Sequence, residues 1–288
     1  MPNFSRTIAG CMTWGVWGKN LNTNEMIDIM QTCIENGITT FDHADIYGDY
    51  TTEAAFGKAF NASQVKREDV QLISKCGIQY IGNSRNNRVK HYNYSKDYII
   101  WSVEESLKNL QTDYLDLLLL HRPSPLMHPD EVSEAVSTLT SQGKIKDFGL
   151  SNFTPIQTDL IASKTAISVN QIEVSLTQYT SLFDGSLTHM QLHKIQPMAW
   201  SPLGSYFKED SEKNSRIKKE LTNLSKKYNA TESQLLLAWL HQHPSQIIPV
   251  IGTTNKNRII EAVKAQEFVL EIEDWFALLV ASQGHKVP

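Results

Sequence analysis

Four residues of different chemistry follow short apolar stretches of the sequence. They are Asp42 and Tyr47 after Thr39–Phe41, Lys75 after Val70–Ser74, and His121 after Leu115–Leu120. A tyrosine keeps its proton at neutral pH and can give it to a developing alkoxide. A neighbouring ammonium lowers the pKa of a tyrosine, and a carboxylate holds that ammonium charged. A neutral imidazole can donate an N–H to a substrate oxygen. Together these groups predict a site that protonates a carbonyl oxygen as a hydride reaches its carbon.

Other apolar stretches are also followed by polar or small residues. These residues are Ser151 and Asn152 after Lys146–Leu150, Gln171 after Ile167–Asn170, Trp200, Ser201 and Pro202 after Pro197–Ala199, and Gly252, Thr253 and Thr254 after Ile247–Ile251. The apolar stretches have the length and composition of buried strands. In a closed parallel barrel the carboxyl ends of all strands face one mouth. We therefore expect these side chains to gather at a single site.

Helical patterns separate the predicted strands. Asn24 or Thr23 is predicted to cap a helix that ends at Gly37, and Ser95 and Thr154 are predicted to cap later helices. About eight strands, each followed by a helix, indicate a (β/α)₈ TIM barrel, with residues 1–288 forming a single domain. A doubly wound sheet is the alternative, but no Gly-x-Gly-x-x-Gly follows any predicted strand.

Two segments have no regular pattern. Gly77–Tyr94 is predicted to be a solvated surface loop, and a loop that closes over a substrate is the alternative. Ser205–Ser215 is predicted to be a polar loop, followed by helices around Lys218–Tyr228 and Glu232–Leu240.

Composition excludes several classes of partner. The net charge of −4 gives no electrostatic case for nucleic acid or an anionic membrane. We see no signal peptide in Met1–Gly18 and no apolar stretch long enough to span a bilayer. Cys11, Cys33 and Cys76 are odd in number and widely spaced, as in reduced core thiols. A cytoplasmic protein is expected, and the sequence does not reveal its oligomeric state.

Several motifs together resemble the aldo-keto reductase family. They are Phe41-Asp-His-Ala-Asp-Ile-Tyr-Gly48, Lys75 in Ile-Ser-Lys-Cys, Leu107-Lys-Asn-Leu-Gln-Thr-Asp-Tyr-Leu-Asp116 leading to His121-Arg-Pro123, Gly143-Lys, Gly149-Leu-Ser-Asn-Phe153, Asn170-Gln171, Trp200-Ser-Pro-Leu-Gly204 and Ile248-Pro-Val-Ile-Gly252. They keep the family's order from about Arg6 to past Glu261. The set is highly specific, although single members of it are not.

The resemblance implies an NADPH-dependent reductase of small-molecule aldehydes and ketones. By the family pattern, the catalytic tetrad falls on Asp42, Tyr47, Lys75 and His121. The positions that contact the cofactor fall on Ser151, Asn152 and Gln171 (nicotinamide carboxamide), Trp200 (ring stacking), Ser201, Pro202, Leu203 and Gly204 (pyrophosphate side), and Gly252, Thr253, Thr254 and Arg258 (adenosine phosphate). The preference for NADPH over NADH rests on Arg258, with Lys256 as a second candidate.

Two positions depart from the family pattern. His43 stands where many members have threonine, and Gly204 followed by Ser205 replaces a common glycine pair. The fit of the Ser205–Ser215 loop over the cofactor is therefore open.

Two other functions remain as alternatives. One is a nucleotide-binding, redox-sensing subunit with little turnover, and the other is a Schiff-base aldolase that uses Lys75. No metal site is predicted, because His189 and His193 share a helix face but no third ligand is evident.

Overall fold

Strands and helices alternate along the chain in the computed structural model. It describes residues 4–287, so Met1–Asn3 and Pro288 of the predicted 1–288 domain lie outside the described residues. The strands are β1 (Ile8–Gly10), β2 (Thr40–Asp42), β3 (Gln71–Cys76), β4 (Ile78–Gln79), β5 (His91–Tyr92), β6 (Leu115–Leu120), β7 (Ile145–Ser151), β8 (Val169–Glu173), β9 (Gln196–Trp200) and β10 (Ile248–Ile251). The helices are α1 (Thr23–Glu35), α2 (Tyr47–Tyr50, an irregular turn), α3 (Thr52–Ala62), α4 (Lys96–Leu110), α5 (Pro129–Ser141), α6 (Pro155–Ala162), α7 (Ser186–His193), α8 (Glu212–Tyr228), α9 (Glu232–His241), α10 (Lys256–Lys264) and α11 (Ile272–Gln283).

Eight parallel strands close into a barrel. Their order around it is β1, β10, β9, β8, β7, β6, β3 and β2, and β1 pairs with both β10 and β2. The closing register sets Ile8 beside Val250 and Ala9 beside Phe41. This closure confirms the predicted (β/α)₈ TIM barrel and rules out the doubly wound sheet.

The barrel is filled by side chains, not by solvent. Branched and flexible apolar residues from six strands form its interior: Ile8, Ile73, Leu117, Leu119, Val169, Met198 and Val250. All six residues of β6 are buried, because one face of the strand meets this interior and the other meets the helices. A larger apolar layer lies between the strands and the surrounding helices. Functional groups are therefore confined to the rims.

Side-chain caps fix where several helices begin. Ser95 and Thr154 accept hydrogen bonds from the first turns of α4 and α6, as predicted. The prediction for α1 was wrong by one or two positions: Asn22, not Thr23 or Asn24, is the cap, and it forms a capping box with Glu25. Three neighbouring residues can all act as caps, so local sequence alone did not separate them.

The Gly77–Tyr94 segment is more ordered than an irregular surface loop. β4 and β5 form an antiparallel hairpin within it, with Ile78 opposite Tyr92. Strands of two residues are too short to give an alternating pattern, so the sequence did not reveal them.

The C-terminal third has helices that the sequence reading shortened or left out. α8 begins at Glu212, capped by Ser211, so the predicted Ser205–Ser215 loop is too long. Its first buried apolar residue is Ile217, which made the helix seem to start later. α11 was not predicted. It is held against α9 by Trp275, whose ring stacks on Trp239 at 4.7 Å.

A close approach between α3 and α4 depends on Gly57. A Cβ at this position would lie 2.1 Å from the carbonyl oxygen of Asn109 and 2.8 Å from the Cα of Leu110. Both contacts are with backbone, which cannot rotate away as a side chain can. Helix α3 directly follows the turn that carries Tyr47, so this contact also positions the mouth of the barrel.

We expect Gly57→Ala to lower the free energy of unfolding by at least about 1–3 kcal/mol, because overpacking forces the two helices apart. Denaturant unfolding followed by circular dichroism measures the change. Lys58→Ala is the control: Lys58 is exposed on the same helix, and its loss should change stability by less than about 0.5 kcal/mol. Equal stability of Gly57→Ala and the control would contradict the packing argument.

Candidate active site

Neighbouring strands bring the four predicted catalytic residues to one rim. Asp42 is the last residue of β2, Lys75 lies one residue before the end of β3, and His121 directly follows β6. β2 pairs with β3 and β3 pairs with β6, so these strand ends are adjacent in the barrel. Tyr47 reaches the same point from the α2 turn, where Gly48 and Asp49 have positive φ angles.

The Lys75 ammonium is the centre of this group. Its Nζ lies 2.7 Å from each carboxylate oxygen of Asp42, 2.9 Å from the backbone oxygen of His43 and 3.2 Å from the Tyr47 hydroxyl. Lys75 is 1% exposed and Asp42 is 2% exposed. These four oxygens belong to three groups, one for each N–H donor of the ammonium, with the Tyr47 hydroxyl as the adjustable partner.

Burial and charge together set the protonation states of this pair. Burial by itself would lower the pKa of Lys75, but Asp42 and Tyr47 outweigh it and raise that pKa above its ordinary value. Burial raises the pKa of Tyr47, and the lowering effect of Lys75 only partly offsets this. Lys75 is therefore a cation and Tyr47 a neutral phenol at neutral pH.

His121 is held as a neutral imidazole. Burial, followed by the charge of Lys75, lowers its pKa well below the ordinary value. Its ring centroid is 6.0 Å from that of Tyr47, in an edge-on arrangement. Nδ1 is buried and has no hydrogen-bond partner among the described residues. A buried lone pair without a partner costs less than a buried N–H donor, so we assign the proton to Nε2.

His43 fills a place in the core beneath the rim. It is fully buried, its ring lies 4.3 Å from that of Phe56, and burial lowers its pKa to about 3. Neither ring nitrogen has a partner in the described part of the chain. Its contribution to the rim is the backbone oxygen that receives the Lys75 ammonium.

The residues predicted for the nicotinamide lie on the opposite arc of the barrel. Asn152 donates its amide to Ser151 Oγ at 2.8 Å and accepts a hydrogen bond from the Trp200 indole at 2.9 Å. Gln171 donates its amide to Asp42 Oδ1 at 3.0 Å. These bonds fix the orientation of Trp200 and of the Gln171 side chain, so that Gln171 Oε1 and the Ser151 hydroxyl proton remain available.

The segment Ser201–Gly204 turns sharply after β9. Ser201 and Gly204 both have positive φ angles, and Pro202 is buried between them. A Cβ at Gly204 would lie 1.9 Å from Thr177 Oγ1, so no side chain fits there. The next residue, Ser205, donates its backbone N–H to the same Thr177 oxygen. Thr177 therefore anchors this turn at the single glycine. Leu203 is half-buried beside it.

The segment Gly252–Arg258 runs from the end of β10 into the first turn of α10. Gly252 has nothing within 4 Å of the place a Cβ would occupy. Thr253 Oγ1 accepts from the backbone of Asn255, and Asn255 caps the helix through the backbone N–H of Arg258. Thr254 lies between them. Lys256 is paired with Asp28 at 2.5 Å, whereas the exposed Arg258 has no ion pair among the described residues.

Comparison with known proteins shows the family of the chain. Residues 7–279 match the sequence model of the Aldo/keto reductase family. The chain belongs to the aldo/keto reductase family. It is therefore an NAD(P)H-dependent oxidoreductase, and carbonyl reduction is the general reaction of its family.

Relatives of this aldo-keto reductase match it over nearly their full length. It is 39% identical to the oxidoreductase YdhF of Escherichia coli (100% of this chain, 96% of YdhF). It is 38% identical to a 6-dehydroglucose reductase of Agrobacterium fabrum (90% of this chain, 88% of that protein). It also resembles a solved thermostable aldo-keto reductase in complex with the inhibitor epalrestat (TM-score 0.82, 29% identity, 96% of this chain and 94% of that chain). Between residues 4 and 287, no helix combines the length and hydrophobicity of a membrane span.

Sequence reasoning missed an aromatic wall beside Tyr47. The ring centroid of Trp17 lies 6.4 Å from that of Tyr47 and 5.3 Å from that of Tyr80. Trp17 comes from the loop after β1 and Tyr80 from the hairpin segment. Aromatic residues in loops carry no signal that they will meet, because only the barrel brings these loops together.

The hairpin segment is fastened to the barrel beside that wall. The Asp49 carboxylate accepts the backbone N–H groups of Asn83 and Ser84 at 2.7 and 3.1 Å. The Arg85 guanidinium lies 3.6 Å from the ring centroid of Tyr50 and donates to the Tyr98 hydroxyl at 2.7 Å. The positive φ of Asp49 directs the carboxylate toward the hairpin. The segment is therefore anchored to α2 and α4, and most of its residues from Ile81 to His91 are exposed, as predicted for a surface loop.

Two buried carboxyl groups lie below the catalytic rim. Burial, together with the charge of Glu53, raises the pKa of Asp45 to about 7, and burial raises the pKa of Glu53 to about 7. Ser102 donates to Asp45 at 3.0 Å, and Ser74 donates to Glu53 at 2.5 Å. Both groups are therefore partly protonated near neutral pH.

We expect Glu53→Gln to change the pH dependence of stability. The carboxyl is protonated more readily in the folded chain (pKa about 7) than in the unfolded chain, where the pKa is about 4.3. The wild type therefore loses stability as the pH rises between about 4 and 7, because ionisation then favours unfolding. The variant lacks this loss, so its stability relative to wild type should increase over that range.

Denaturant unfolding at pH 5 and pH 8 measures this difference. Glu273→Gln is the control, because Glu273 is exposed in the first turn of α11. A Glu53→Gln variant whose stability difference from wild type is the same at both pH values would contradict the raised pKa.

Proposed function

We propose that the protein is an NADPH-dependent reductase of aldehydes and ketones in which Tyr47 is the proton donor. The observation that supports the proposal is the buried Lys75 ammonium, which is hydrogen-bonded both to Asp42 and to the Tyr47 hydroxyl. An acid that must release a proton and carry negative charge needs a fixed cation beside it.

The free donors and acceptors at the rim fit a nicotinamide nucleotide. A carboxamide offers one acceptor and two donors, and the Ser151 hydroxyl and Gln171 Oε1 are the complementary pair. Trp200, held by Asn152, offers a ring face for stacking. The open space at Gly252 and the N-terminus of α10 suit a phosphate. Ser201, Pro202, Leu203 and Gly204 would line the pyrophosphate, with Thr253 and Thr254 beside the adenosine phosphate. When bound, the reduced cofactor supplies the hydride.

Tyr47 supplies the proton that completes the reduction. As the carbonyl carbon receives the hydride, its oxygen gains negative charge and takes the proton from the Tyr47 hydroxyl. The phenolate left on Tyr47 is stabilised by the Lys75 ammonium, which Asp42 keeps in place. The phenolate is reprotonated from solvent after product release. Oxidation of an alcohol is the same proton transfer in reverse.

His121 orients the carbonyl. Its neutral ring cannot give up a proton as an imidazolium would, so it does not compete with Tyr47 as the acid. The Nε2–H donates a hydrogen bond to the substrate oxygen and directs it toward the Tyr47 hydroxyl. Trp17 and Tyr80 form the wall that the rest of the substrate contacts. Because a relative is named for reducing 6-dehydroglucose, a small polar carbonyl of this kind belongs in the substrate panel.

The same geometry disfavours the alternative functions. A Schiff-base aldolase needs a neutral lysine, but three acceptors around Lys75 keep it charged. A redox-sensing subunit would not require the four groups to remain assembled. Steady-state oxidation of NADPH with a panel of aldehydes and ketones tests the proposal. Turnover supports the reductase, and tight cofactor binding without turnover supports the sensor.

We expect Tyr47→Phe to lower turnover by about 10²–10⁴-fold, because the variant keeps the ring but loses the proton donor. Cofactor affinity, measured by fluorescence titration, should change by less than about twofold. The control is Tyr114→Phe, which removes a hydroxyl at the opposite end of β6 from His121 and should leave turnover unchanged. Wild-type turnover by Tyr47→Phe would exclude Tyr47 as the acid.

We expect Arg258→Ala to raise the KM for NADPH by about 10–100-fold, because the variant loses one charge-assisted hydrogen bond to a phosphate. The KM for NADH should stay within about twofold, since NADH lacks the 2′-phosphate. Lys256→Ala is the matched control, because Lys256 is already paired with Asp28. Equal changes in KM for the two cofactors would show that Arg258 does not select NADPH.

A further inference from the structure

A side-chain cluster outside the barrel mouth joins helices α6 and α7. Asp159 lies on α6, and His189 and His193 lie one helical turn apart on α7. The potential ligand atoms of all three lie within 4.8 Å of one another. The sequence showed only the two histidines on one face; the fold adds the carboxylate from 30 positions earlier in the chain.

From this geometry we propose that Asp159, His189 and His193 bind a divalent transition-metal ion of the Zn²⁺ type. Two imidazoles and a carboxylate are a frequent ligand set for such ions and unsuited to Mg²⁺ or Ca²⁺, which prefer oxygen. Histidines at i and i+4 project from the same face of a helix and can bind one ion together. Two of the three ligands thus lie on one rigid element.

The contacts within the cluster are those of a site that needs little rearrangement. His189 Nε2 lies 2.7 Å from Asp159 Oδ1, and the His189 and His193 ring centroids are 4.4 Å apart. His189 is 12% exposed and Asp159 is 49% exposed, so the ion can enter from solvent and keep a water as its fourth ligand. A His189–Asp159 ion pair alone would leave the second imidazole without a role.

The position of the cluster indicates what the ion would do. α6 follows the strand that ends in Ser151, and α7 lies between the strands that carry Gln171 and Trp200. An ion bound by both helices would link two successive units of the outer layer. It would bind the folded chain and not the unfolded chain, and would therefore raise thermal stability. None of its ligands contacts Asp42, Tyr47, Lys75 or His121, so it is independent of the proposed reaction.

The test uses Zn²⁺ and the full chain without a polyhistidine tag. Isothermal titration of chelator-treated wild type should give one bound Zn²⁺ per chain, and Zn²⁺ should raise the melting temperature. The three cysteines are buried and reduced, so they do not compete for the ion. His193→Gln and Asp159→Ala should each weaken binding by at least about 10-fold, since even outer partners of metal ligands contribute that much.

His128→Gln is the matched control. His128 is an exposed histidine 3.7 Å from Asp130, but within residues 4–287 no second histidine ring is paired with it as His193 is with His189. The control should bind Zn²⁺ as wild type does, and unfolding in chelator should show that His193→Gln folds normally. The proposal is overturned if wild type binds no Zn²⁺, if His193→Gln binds it as tightly as wild type, or if binding is lost in His128→Gln.

Discussion

The ion pair between Lys75 and Asp42 is the constraint on which the site depends. Both groups are almost completely buried, and removing two charges from water is costly unless each finds full compensation. The barrel supplies that compensation by pairing β2 with β3 and by turning the His43 backbone oxygen toward the ammonium. The pair in turn orients the Tyr47 hydroxyl. A cation held this way does not have to reorganise when negative charge develops beside it.

The Asp42 carboxylate connects the two sides of the rim. The proposed catalytic residues come from β2, the α2 turn, β3 and the position after β6, whereas those facing the proposed cofactor follow from β7 to β10. Gln171 crosses between them by donating to Asp42, over a sequence separation of 129 residues. Asp42 therefore orients both the ammonium and the amide. The Tyr47 hydroxyl, through Lys75, and the Gln171 amide are thus positioned against one common group.

Below this rim, the core contains buried ionisable side chains, which are less favourable there than apolar ones. Asp45 and Glu53 are buried carboxyls with raised pKa values, and His43 is a buried imidazole without a hydrogen-bond partner within residues 4–287. The tight contact at Gly57 packs α3 against α4 beside them. Buried groups of this kind are unfavourable relative to apolar side chains, and sequences keep them mostly near functional sites.

The sequence by itself determined the alternation of strands and helices, because period and capping residues are local properties. Leu115–Leu120 was predicted with its observed bounds, and the strand-end positions of Asp42, Lys75 and His121 followed from such patterns. The sequence motifs also indicated the protein family. Only the tertiary structure decided which distant groups touch: the Gln171–Asp42 bond, the Trp17–Tyr80 wall, the β4–β5 hairpin and the approach of Asp159 to His189. These contacts depend on the closure of the barrel and on the paths of the loops. Neither produces a periodic pattern of residues in the sequence.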